Sequence, residues 1–174
     1  MPSLARAAVA ANREYLRSGL ALQAVRATPA APDRDKALES ADLAWRLARK
    51  NVHVAFSNFA EAFYRMMREP RARQKHVAKY NDLMIQCHML ASQISAIISL
   101  GMGTSPLPKP VTEYLREVVP ALTGLADAAS PPPLTPAILE GLPAEIAYPM
   151  RQMQKSLQIV QSDIGIVRAD PPPA

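Results

Sequence analysis

At 174 residues the chain is long enough for one domain with a sizeable hydrophobic core. Apolar residues make up 49% of it but aromatics only 5%, with eight methionines, a composition that suits packed helices and is poor for strands. One cysteine excludes an internal disulfide framework and fits a reducing compartment, and the net charge of +5 is uneven: residues 1–80 hold 15 Lys/Arg against 7 Asp/Glu, residues 81–174 hold 5 against 8.

The first predicted helix runs from Leu4 to about Arg26, with Leu4, Ala8, Ala11, Tyr15 and Leu22 sharing a face. Thr28 to Asp33 is a linker, because two prolines in four residues remove helix donors, and Asp33 or Asp35 can cap the second helix. From there Leu38, Ala41, Trp45, Ala48, Val52, Ala55, Phe59, Phe63 and Met66 recur at steps of three and four. After Glu69-Pro70, Val77, Tyr80, Met84, Cys87, Ala91, Ile94 and Ile98 do the same. Each set is the buried face of a long helix, and the proline marks the turn between them.

The fourth predicted helix spans Pro110 to about Ala129, with a kink expected at Pro120. A single helical turn is expected at 136–140, and a last helix from Ala144 to about Arg168. Residues 104–110 and 130–136 read as proline-rich loops and 169–174 as a frayed tail. The expectation is an all-α bundle of about five helices built on a long antiparallel hairpin, residues 34–69 and 70–101. No unbroken apolar run approaches the roughly 20 residues of a membrane span, and no signal-peptide pattern is present.

Catalytic and metal-binding patterns do not emerge. A di-metal bundle needs Glu-x-x-His on two helices, and none of the three histidines has a glutamate three residues before it. Zinc spacings, phosphate-binding glycine loops and nucleophile elbows are likewise missing. Cys87 and His88 point about 100° apart on a helix, and Cys87 falls on the apolar stripe, so it reads as a core residue. The expectation is a protein that is not an enzyme, with no cofactor or metal.

Two polar features stand out. If the hairpin arms pair antiparallel about Pro70, His53 and His88 fall at nearly the same height. With Ser57 and Ser92 they form a candidate polar groove, weighed against a reading as small residues that flank a core. The second feature is a basic cluster at the hairpin tip: Arg65, Arg68, Arg71, Arg73, Lys75 and Lys79. It could face a partner or anionic lipid, with nucleic acid the weaker option because few aromatics interleave the charges. Its alternative is a solvated turn.

The stretch Arg49-Lys-Asn-Val-His-Val-Ala-Phe-Ser-Asn58, followed by Met66-Met-Arg-Glu-Pro70, resembles the C-terminal region of the fusaric-acid-resistance (FUSC) inner-membrane proteins of bacteria, YccS/YhfK-type. Ala10 to Leu16 and Gln93 to Ile97 are similar to flanking segments of that family. The resemblance covers residues 4–101. It implies that the chain is a piece of a larger membrane protein. That piece would be a helical domain on the cytoplasmic face of the inner membrane, partnered by the membrane-embedded part and able to form a homo-oligomer. The family is associated with efflux of aromatic carboxylic acids, and a domain of this kind would serve assembly, gating or docking. Ser57, Asn58, Glu69 and Pro70 then read as structural residues. The alternative is a free-standing helical protein that binds a small molecule or a partner helix.

Overall fold

The computed structural model describes residues 1–30, 32–103, 106–124 and 130–169. These form six α-helices: α1 (Pro2–Ala27), α2 (Arg34–Met67), α3 (Val77–Leu100), α4 (Lys109–Gly124), the one-turn α5 (Pro136–Leu139) and α6 (Ala144–Ala169). The architecture is an all-α bundle, as the 3.6-residue periodicity of the sequence implies. Helix α4 runs on through Pro120 and α6 through Pro149. The expected end of the fourth helix beyond Gly124 and the expected tail beyond Ala169 lie outside the described residues.

The hairpin expected from the sequence is present, but its arms are not each other's main partners. α2 packs most extensively on α1, and α3 on α6, while α1 also touches α3 and α4. α1 is tied along α3 by three side chains that periodicity cannot reveal. Asn12 Nδ2 donates to the Cys87 carbonyl at 3.1 Å, Gln23 Nε2 to the Ile98 carbonyl at 2.9 Å, and Arg26 to the Met102 carbonyl at 3.0 Å. The first two partners lie 75 residues apart in sequence and the third 76, so α1 and α3 run parallel in fixed register. Between these contacts Gly19 admits close approach: a Cβ there would sit 2.9 Å from Cγ1 of buried Ile98. α3 and α6 run antiparallel, because Lys79 meets Asp163 at one end and Ala96 lines a groove with Ala144 at the other.

α3 is therefore buried on more than the single face read from the sequence. Leu83, Leu90, Gln93 and Ile97 join Tyr80, Met84, Cys87, Ile94 and Ile98 in the interior. Gln93 is 5% exposed with neither amide atom partnered among the described residues, a polar cost accepted at the α3–α6 contact. By length and composition α3 is also the one helix among the described residues that could cross a membrane, a property that a scan for unbroken apolar runs passes over; half of its apolar window is buried within the bundle.

The turn also differs from the expectation that the third helix starts at Pro70. After Pro70 come a single 3₁₀ turn at Arg71–Arg73, an extended Gln74, and His76 in the left-handed region at φ 52° as the residue preceding α3. Gln74 Nε2 donates to the carbonyls of Met67 at 3.1 Å and Glu69 at 2.7 Å. It thereby satisfies acceptors that the end of α2 leaves open. These residues close the turn, and α3 begins seven residues late.

Candidate functional site

A cleft of about 370 Å³ opens where α1, α2 and α3 meet. Arg49 and His53 come from α2, His88, Ser92 and Ser95 from α3, and Tyr15 forms part of the wall from α1. His53 and Arg49 are one turn apart on α2, and His88 and Ser92 one turn apart on α3, so helical geometry turns each pair toward the same opening. Phe56 holds the His88 ring at 5.1 Å between centroids. Tyr15 stacks on Trp45 at 5.8 Å, and its hydroxyl is buried without a partner among the described residues. Among the described residues, no carboxylate lines the cleft.

Of the four residues expected in a polar groove, the structure brings His53, His88 and Ser92 to this cleft. Ser57 lies outside it, in an adjoining open groove of about 560 Å³ that runs along α2 past Arg46, Arg49, Lys50 and Asn58. Arg49 and His53 belong to both depressions. Ser57 and Asn58 are exposed there. Tyr15 is absent from the sequence-derived groove. Its signal is a tyrosine on the apolar face of the first helix, which reads as core until the third dimension places its ring beside Arg49.

The basic tip is also redrawn. Arg65, Arg68, Arg71, Arg73 and Lys75 surround the end of α2 and the turn, the four arginines exposed and Lys75 with them. Cations suit the end of a helix because its last carbonyls carry partial negative charge. Lys79 leaves this group: its Nζ lies 2.8 Å from Oδ1 of Asp163 on α6, a side chain 2% exposed. The hydrogen bond to Asp163 raises the Lys79 pKa above its ordinary value. Lys79 thus neutralises a buried carboxylate across the α3–α6 seam and does not enlarge the surface patch.

Cys87 lies in the interior behind the cleft. Burial pushes its thiol up to about 12, so it is held protonated and unreactive. The Tyr114 hydroxyl donates to Gln154 Oε1 at 2.5 Å between α4 and α6, and burial raises its pKa as well. These groups serve packing. The exposed polar groups are one guanidinium, two imidazoles and two hydroxyls around a shallow cleft, continued by the cationic groove of α2. Comparison with protein-family models, with curated proteins and with solved structures finds no match for this chain.

Proposed function

We propose that this chain is a non-catalytic helical domain of a FUSC-type bacterial inner-membrane transporter, held at the cytoplasmic face and serving assembly, gating or docking. The observation that carries the reading is the position of the residues behind the resemblance. Arg49, His53, Ser57 and Asn58 are exposed on α2, where a partner can reach them, while Val52 and Met66 of the same stretches are buried. A stretch whose identity served only packing would be expected on the inner face. Five exposed cations at the neighbouring tip suit an anionic bilayer surface. An antibody raised to this chain, used on fractionated source cells, is expected to mark a band far heavier than 18.9 kDa in the membrane fraction. A band near 18.9 kDa in the soluble fraction would overturn the proposal.

A guanidinium in a cleft that no carboxylate lines among the described residues favours a second reading, a module that binds a small organic anion between α1, α2 and α3. Arg49 would supply the charge and His53, His88 and Ser92 the hydrogen bonds. A thermal-shift series with simple carboxylates is expected to raise the Tm of the native chain, and Arg49→Gln to abolish the rise. A rise that persists in Arg49→Gln, or no rise with any carboxylate, rejects this reading.

A further inference from the structure

α2 is a helix of 34 residues that buries only five of them: Ala48, Val52, Phe59, Phe63 and Met66. All five lie on the side turned to α1 and α3. On the opposite side Leu43, Leu47, Val54 and Tyr64 are 61, 53, 49 and 58% exposed. With Lys50, Ser57 and Glu61, all exposed, these positions follow the alternating four- and three-residue steps of a helix-pairing seam. The seam is about 30 Å long, from roughly 21 residues at about 1.5 Å each.

We propose that this face pairs with the same face of a second copy, antiparallel, about a two-fold axis passing beside residues 55 and 56. Charge selects both the partner and the direction. Glu61 is the one acidic residue between Asp42 and Glu69, set in a stretch otherwise cationic. Lys50 and Glu61 share the seam but stand three turns apart, too far to pair within one helix. In the antiparallel arrangement Lys50 of each copy meets Glu61 of the other, and the two contacts are equivalent, as a two-fold interface requires. Leu47 and Tyr64 of the second copy then fall at matching heights. A parallel pair would set Lys50 against Lys50 and Glu61 against Glu61. This pairing is independent of the transporter reading, since it concerns this chain alone and is tested on it.

The test is sedimentation equilibrium on the 174-residue chain and on three variants: Lys50→Glu, Glu61→Lys and the double exchange. Both positions are exposed, and circular dichroism confirms that each variant is folded before it is used. The native chain is expected at twice 18.9 kDa. Each single variant is expected to dissociate about tenfold more readily or more, because like charges then face each other twice. An equimolar mixture of the two single variants restores opposite charges at both contacts and is expected to regain native association as a heterodimer. The double exchange regains it as a homodimer. A native chain that stays monomeric at every soluble concentration overturns the proposal. So does a mixture that associates no better than its components.

Discussion

Phe59→Ala is expected to destabilise the bundle by about 3–5 kcal/mol, the range for emptying a fully buried aromatic site. For a chain of this size that corresponds to a fall in Tm on the order of 10 °C. Phe59 is 0% exposed and meets the Tyr80 ring edge-on, with centroids 6.3 Å apart and planes at 85°. The magnitude follows from where it acts. α2 reaches α3 through few side chains, and Phe59 on Tyr80 is the deepest of those ring contacts. The remaining support of α2 comes from α1, so there is little neighbouring mass to collapse into the vacancy. Urea unfolding monitored by circular dichroism measures the loss, and a cost below about 1 kcal/mol would mean that α2 is held to α3 elsewhere.

The second large effect is a loss of stability in alkali. Cys87 is pushed up to about 12 by burial, from an ordinary value of 9.0. Between those values an unfolded chain releases the thiol proton and the folded chain keeps it, so unfolding is favoured as pH rises. The stability conferred by the protonated thiol is complete below about pH 9 and is lost progressively above it. One such group gives a slope of up to about 1.4 kcal/mol per pH unit. Tyr114, raised by burial and then by Glu117, adds a second loss of the same sign beginning near its ordinary value of 10.0. Lys79, raised by its hydrogen bond to Asp163, adds a third from its ordinary value of 10.5 upward. Denaturant midpoints are therefore expected to be level from about pH 7 to 9 and to fall from there. Cys87→Ala should flatten the curve between about pH 9 and 10, where the thiol acts alone. A native midpoint that holds through about pH 10, or a variant that declines as steeply as the native chain, would show that the thiol is not held protonated.

Phe59 and Cys87 are also residues that the sequence announces by period: each sits on an apolar stripe, and a stripe is a property of neighbours in the chain. The same reasoning puts His53 and His88 at one height, since an antiparallel hairpin with a known turn fixes which residues lie opposite. Lys79 falls in with the tip on sequence grounds because charge clustering carries no information about which face of α3 meets α6. Asn12 and Gln23 are invisible to periodicity for a related cause. Their partners are backbone carbonyls 75 residues away, and a carbonyl has no letter in the sequence. His76 gives no signal either, because one residue in the left-handed region, at φ 52°, leaves no period in the sequence.

The parallel alignment of α1 with α3 has a consequence for how the bundle is made. α1 leaves the ribosome before the other five helices, yet it touches α4, which starts 82 residues after α1 ends. At about 5–20 residues per second that interval is on the order of ten seconds. Through it, α1 can gather α2 and then α3, with the side meant for α4 still open to solvent or to a chaperone. α3 in turn waits for α6, the last of the six to be synthesised. The face of α3 that meets α6 stays uncovered until then, so the core is completed only when the sixth helix has emerged.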